Sequence, residues 1–299
     1  MTRQPSNLAI ATCSHPGKVR SHNEDAVFAD AGAGLVVLAD GMGGYNAGEV
    51  ASGMATNWLG TELVAALAPG AGAKQVTDQV ADTATSKEPA SDPNGNNART
   101  NGRNPQRMRE LLLFEVNRAN EVVFQTAQSQ PQYAGMGTTL VMAVFHHDMA
   151  TVAHIGDSRL YRFRAGSLEQ LTRDHSLLQD QIDSGLITRE QARYSHNKNL
   201  VTRALGIDPV VDVEIADYPT LAGDVYLLCS DGLNDMVEDL EIAATLLAMS
   251  SNLEACARQL VDLANHYGGR DNVSVILVKV MRSTQLSRPW WAWLRDWFK

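Results

Sequence analysis

Cysteine is scarce in this sequence. Cys13, Cys229 and Cys256 are the only three in 299 residues, and no two form a CxxC pair. That count fits neither a disulfide framework nor a thiolate metal site, and it predicts reduced, mostly buried thiols. Neither an HExxH segment nor a GxxxxGK[ST] loop is present, so nothing favours zinc or a nucleotide's phosphates. No apolar stretch approaches the roughly 20 residues of a membrane-spanning helix. The opening, "MTRQPSNLAIATCSHPGKVR", lacks the apolar block of a signal peptide. Positive charge is also short: 25 Lys and Arg stand against 34 Asp and Glu, a net −9. A surface of that sign argues against non-specific nucleic-acid binding. An acidic protein that handles phosphate must reverse its own field locally, with metal ions or a placed arginine. The expectation is a soluble, cytoplasmic protein, long enough for one large domain or two small ones.

What is present is ordinary globular texture, 44% hydrophobic and 20% charged, broken in three places. Residues 69–107 are rich in Gly, Ala, Asn, Thr and Pro, which predicts a disordered or mobile insertion. Residues 174–205 have too little apolar periodicity for core and read as a surface flap, with a capping box at Thr188 and Gln191. The tail, residues 283–299, places Trp290, Trp293, Leu294 and Trp297 on one helical face, with Pro289 to open the helix. Three destinations stay open for it: a membrane surface, a partner's groove, or the body of the same chain.

Elsewhere strands are expected at 26–28, 35–39, 139–145, 150–155, 159–164, 225–229 and 273–280. Helices are expected at 49–67, 108–127, 239–249 and 253–267. In the second of these, Leu112, Val116, Ala119, Val123 and Ala127 step along one face. The strands between 139 and 171 follow with short gaps and no helix between them, which predicts an antiparallel meander. The fold class expected is an α/β sandwich of the α+β type, with antiparallel sheet inside and helices packed outside.

The segment "VLADGMGGYNAGE" ends a strand in Asp40-Gly41 and then crowds glycines before a helix. Similar acidic turns recur at Asp231-Gly232, Asp271, Asp157 and Glu24-Asp25, each beside Gly or Asn. Any one Asp-Gly is most often only a turn. A tight hairpin, however, would be followed at once by a strand, whereas Asp40 and Asp231 both lead toward helices. A dinucleotide loop fails too, because the last position of GxGxxG is Asn46 and Asp40 would repel a pyrophosphate. If the carboxylates converge, repulsion sets the terms. Two unit charges about 4 Å apart cost roughly 4 kcal/mol at an effective dielectric near 20. Several such pairs would consume most of a domain's stability of about 5–15 kcal/mol. Oxygen ligands without His or Cys select hard ions, Mg²⁺ or Mn²⁺.

In their order, "KVRSHNEDA", "LADGMGG", "GMGTTLV", "HIGDSRLYRF", "LTRDHS", "VTRALG", "LLCSDGLND" and "GRDNVSV" resemble the metal-dependent protein serine/threonine phosphatases, the protein phosphatase 2C family, in its bacterial spelling. The resemblance implies one catalytic domain over 1–282, with two antiparallel sheets flanked by helices and a dimetal cleft at one end. It implies Mn²⁺ or Mg²⁺ as cofactor, two ions and a third, weaker one. Asp40 would bridge the two ions, with Asp231 and Asp271 completing the first. The carbonyl of Gly41 and, through water, Glu24 would serve the second. Asp157 and Asp231 match the pair that holds the third. Arg20 matches the arginine that grips the substrate phosphate, and a hydroxide held between the ions would attack phosphorus. Met42 stands where eukaryotic members have their acid histidine, so no general acid is assigned, with His22, His154 and His175 near the motifs. Implied partners are phosphoserine and phosphothreonine proteins and an opposing Ser/Thr kinase, the enzyme itself being a monomer. The alternatives are a catalytically weak phosphoprotein-binding module and a hydrolase of small phosphoesters.

Overall fold

The computed structural model describes residues 7–44, 47–68, 105–192 and 200–281. The Trp-rich tail lies outside the described residues. So do the expected insertion, except for its last three positions, and residues 193–199 of the expected flap.

Two antiparallel sheets stack face to face. One runs in the order β1 (Leu8–His15), β11 (Val273–Val280), β10 (Val225–Cys229), β7 (Arg159–Arg164) and β8 (Ser167–Gln170). The other runs β2 (Asp25–Asp30), β3 (Leu35–Met42), β5 (Leu140–His146), β6 (Met149–Ile155) and β9 (Glu214–Pro219), with the short β4 (Gly137–Thr138) on the end of β3. Helices α1 (Ala47–Ala66) and α2 (Pro105–Ser129) cover the second sheet. Three short helices follow: α3 (Leu177–Asp183), α4 (Arg189–Ala192) and α5 (Asp231–Asn234). Then α6 (Asp239–Met249) and α7 (Leu253–His266) cover the first sheet.

The layers follow from a period of two in strands buried on both faces. On β3, Leu35 and Val37 face α1 and α2, while Val36 and Leu38 enter the space between the sheets. On β10, Val225, Leu227 and Cys229 face α6 and α7, while Tyr226 and Leu228 point inward. The five-residue stripe of α2 expected from the sequence is buried on the second sheet. Each such Leu or Val contributes about 1.5–3 kcal/mol by leaving water.

The expected meander is not continuous. β5 pairs with β6 and β7 with β8, but β6 and β7 belong to different sheets. Gly156 makes the corner at φ +100, and a Cβ there would lie 2.7 Å from the Thr139 side chain. Short gaps in sequence therefore report a change of sheet here, not a hairpin. The pattern also missed β1, β4, β8 and β9.

Candidate metal centre

The acidic residues gather where the sheets meet, and each is fixed through its backbone. Asp40 is not in a turn, since β3 continues two residues past it and pairs Gly41 and Met42 with Thr138 and Gly137. The Asp40 amide donates to Thr139 Oγ1 at 3.1 Å. Its carbonyl accepts from the Thr139 amide at 2.8 Å and from Thr138 Oγ1 at 2.9 Å. The "GTT" run thus clamps Asp40 at the sheet end. Directly across the ladder sits Asp25, the first residue of β2. Gly41 is glycine because space demands it: a Cβ would fall 2.0 Å from the Gly48 carbonyl oxygen and 2.7 Å from that of Glu24.

The other sheet supplies Asp231 and Asp271. Ser230 caps α5 and donates its hydroxyl to Asp25 Oδ2 at 2.8 Å, so the residue before Asp231 is tied to the opposite sheet. Asn272, 4% exposed, organises the Asp271 side. Its Oδ1 accepts from the Glu24 amide at 2.8 Å. Its Nδ2 donates to the carbonyls of Pro16 at 3.0 Å and His22 at 2.8 Å. Asp157 lies at the corner between the sheets, where Ser158 Oγ meets Thr139 Oγ1 at 2.7 Å. Beside it Arg159 grips both carboxylate oxygens of Asp174, linking "GDSRLYRF" to "TRDHS".

Electrostatics make the convergence explicit. Burial pushes the Asp40 carboxyl well above the usual range, and Asp25, Asp231, Asp157 and Asp271 push it further. Asp231 is raised likewise, by burial and by Asp157, Asp235, Asp271 and Asp25. Asp25 is pushed up to about 6, and Asp157 to about 7, burial leading in both. Asp25 and Asp40 keep some solvent-accessible surface, which places them at the floor of an open cleft rather than inside the core. Asp25 Oδ1 and Asp231 Oδ1 are buried with no hydrogen-bond partner. Unpaired buried carboxylate oxygens are costly, and divalent cations with oxygen coordination remove that cost. The donor set therefore fits Mg²⁺ or Mn²⁺.

Of the residues expected from the sequence, Asp40, Asp157, Asp231 and Asp271 share this field, with Gly41 buried beside them. The Glu24 carboxylate packs on Gly48, and burial raises it above its ordinary value. Arg20 stands at the rim, its Nη2 2.7 Å from Asp271 Oδ2, with half its side chain exposed. The two buried histidines lie behind the corner, where His175 exchanges hydrogen bonds with Gly156, the neighbour of Asp157. The rings of His154 and His175 stack at 4.7 Å, with their Nε2 atoms on the Arg173 carbonyl and on Glu214. Burial lowers both, so they are neutral near pH 7 and poorly supplied with a proton to give. His22 is exposed near Glu24.

Sequence reasoning missed Asp25 as a site residue, along with Asn272 and Asp235. For Asp25 the signal was available: an acid opening a strand that must pair with the strand of Asp40. For Asn272 and Asp235 only the assembled fold supplies one.

Residues 17–265 match the family model described as protein phosphatase 2C. The chain is 34% identical over 266 residues to the serine/threonine phosphatase stp of Listeria welshimeri, covering 88% of this chain and 92% of that protein. It is 36% identical over 284 residues to the serine/threonine protein phosphatase PstP of Mycobacterium tuberculosis, 94% of this chain and 46% of that one. Among solved structures, the catalytic domain of PstP in complex with two manganese ions superposes with a TM-score of 0.70 at 35% identity, covering 92% of this chain and 99% of that one. Alike in fold, in sequence and in the order of its acidic segments, the chain belongs to the protein phosphatase 2C family.

Proposed function

We propose that the chain is a Mn²⁺- or Mg²⁺-dependent phosphatase that hydrolyses phosphoserine and phosphothreonine in proteins, with the acidic floor as its metal centre. The observation that carries this reading is the convergence of five aspartates from two sheets, two of them with buried, unpartnered oxygens. Asp40, Asp231 and Asp271 would hold one ion. Asp40, the Gly41 carbonyl and the region of Glu24 would hold another, and Asp157 with Asp231 would offer a weaker third place. When bound, such ions supply a water acidic enough to attack phosphorus and neutralise the phosphoryl oxygens.

The chain's own residues do the rest. Asp25, hydrogen-bonded to Ser230 through Oδ2 and opposite Asp40, keeps its other carboxylate oxygen without a partner. It can therefore orient a water at the floor. Arg20 lies close enough to exchange Asp271 for a phosphate, and its planar fork suits two phosphate oxygens at once. The 174–205 segment flanks this cleft through Thr202, Leu205 and His175, which bond back to His175, Thr138 and Gly156. It is the part placed to choose among protein substrates. The biological setting that fits is the cytoplasm, a monomeric enzyme and an opposing Ser/Thr kinase.

Phosphate release from a phosphothreonine peptide under Mn²⁺ and Mg²⁺ titration tests the reading, with Asp231→Asn as the comparison. Metal-dependent turnover that drops to background in the variant is expected. A wild-type protein that binds the phosphopeptide yet releases no phosphate with either metal would instead be a phosphoprotein-binding module.

A further inference from the structure

The loops beside Asp271 carry positive charge that no carboxylate answers. Lys18 and Arg270 are exposed, and among the described residues neither makes an ion pair or a side-chain hydrogen bond. Cations elsewhere in this chain of net −9 are largely committed. Arg109, Arg159, Arg162, Arg164, Arg173 and Arg203 each sit on an aspartate or a glutamate.

Two stretches of backbone press together at this edge of the cleft. The Lys18 amide donates to the Gly269 carbonyl at 2.7 Å, and a Cβ on Gly17 would fall 2.3 Å from the Asp271 carbonyl oxygen. The stem of Lys18 lies against Gly269, and the side chain of Arg270 passes Gly268 beside the sulfur of Met236. Arg20 reaches the same place, with Nη2 2.7 Å from Asp271 Oδ2. Three cations thus surround one loop, while its acids are occupied. Asp271 accepts from Arg20 and from the Asn272 amide, and the Glu24 carboxylate packs on Gly48.

We propose that Lys18 and Arg270 form a second anion subsite, which holds a phosphorylated residue one or two positions from the residue being hydrolysed. Closely spaced, multiply phosphorylated segments are then the preferred substrates. The inference rests on the phosphatase reading above and names the substrate class of that same cleft. Charge supports it first. A phosphoryl group carries about −1.5 to −2, which matches two cations, whereas a Glu or Asp side chain offers a single charge. Reach supports it as well. With one phosphate on Arg20, a residue two positions away in an extended peptide lies within roughly 7 Å. Each free cation starts one Cα step, about 3.8 Å, from the contact between the loops: Lys18 follows Gly17, and Arg270 precedes Asp271. The arginine supplies a planar fork and the lysine a mobile point charge.

A set of phosphothreonine peptides tests this. One flanking position, one or two residues away on either side, is Ala, Glu or a non-hydrolysable phosphonate analogue of phosphoserine. With Mn²⁺, kcat/KM for the best phosphonate-flanked peptide is expected to exceed that of its Ala counterpart by about 10–100-fold, chiefly through KM, with Glu between them. In the double variant Lys18→Ala, Arg270→Ala that advantage should vanish, while turnover of a small aryl phosphate and the Mn²⁺ requirement stay the same. Lys18→Glu leaves the neighbour of Asp271 untouched and should also remove the advantage, so a disturbed metal site cannot imitate the result. Equal rates for all flanks in the wild type overturn the proposal, as does a preference that survives Lys18→Glu, and both leave the phosphatase reading standing. A wild type that turns over no peptide sinks that reading first. Anisotropy of a labelled peptide with two phosphonates then decides the subsite. Tighter binding than with one phosphonate, lost in Lys18→Glu, upholds it, and equal binding overturns it.

Discussion

Asn272 shows what single residues contribute here. Its amide joins the loops carrying Pro16, His22 and Glu24 to the residue beside Asp271, through three hydrogen bonds made by its two polar atoms. Replacing it leaves Asp271 in place but frees the segment that carries Arg20 and Glu24. Asn272→Ala is expected to cost about 10–100-fold in metal affinity or activity, read as a rise in the Mn²⁺ concentration for half-maximal turnover. Arg20→Ala should instead raise KM for the phosphopeptide and leave the Mn²⁺ requirement unchanged, which steady-state kinetics can separate. At this scale much of the site was legible, because Asp40, Asp157, Asp231 and Asp271 each sit beside a strand end. Asn272 was not, because its role is hydrogen bonds between residues far apart in sequence, whereas Asp25 was readable as an acid opening the strand that pairs with that of Asp40.

Helices and strands show a different balance. The periodic stripe of α2 and the apolar β3, β10 and β11 announce themselves, since burial on one or both faces leaves a pattern. The expected capping box exists, with the Gln191 amide on Thr188 Oγ1 at 3.2 Å and the Thr188 amide on Gln191 Oε1 at 2.8 Å. The sheet change at Gly156 left no such pattern, because a corner and a hairpin use the same short, glycine-containing loops. At the other end of β7 from Arg159, Arg164 bonds Asp224 through Nε at 2.8 Å and Nη2 at 2.6 Å, and reaches the Pro219 carbonyl of the opposite sheet at 2.8 Å. Asp224, 2% exposed, also accepts from the Leu221 amide. Asp224→Ala is expected to lower stability by about 3 kcal/mol in denaturant titrations while sparing the Mn²⁺ requirement. Shortening the 174–205 segment should alter preference among phosphopeptides more than turnover of an aryl phosphate. Equal losses on both would remove it from substrate choice.

For the molecule as a whole, the acidic floor ties stability to metal and pH. Asp25 and Asp157 have folded values of about 6 and 7, above the ordinary carboxylate value near 3.9. The metal-free folded state therefore holds protons that the unfolded chain has released. Its stability falls as pH rises from about 4 toward 7, by about 1.4 kcal/mol per pH unit for each such group. Bound cations replace those protons and relieve the penalty. His154 and His175, lowered by burial, act in the opposite direction in both states. The difference in Tm between loaded and stripped protein is thus the clean readout, and calorimetry should find it growing from pH 5 to pH 7. A constant difference would mean the carboxylates are not the cation site.

The last strand of the fold is also a central one. β11 lies between β1 and β10, with Leu8 opposite Val280, and Asp271 comes just before it. During synthesis, then, the strand made first waits for almost the entire domain before it has a neighbour. Asp25 and Asp40 can meet early, but the floor stays one carboxylate short until β11 emerges. An unfinished chain on the ribosome therefore cannot strip phosphates from its surroundings, and a copy terminated before β11 is inert rather than active without restraint.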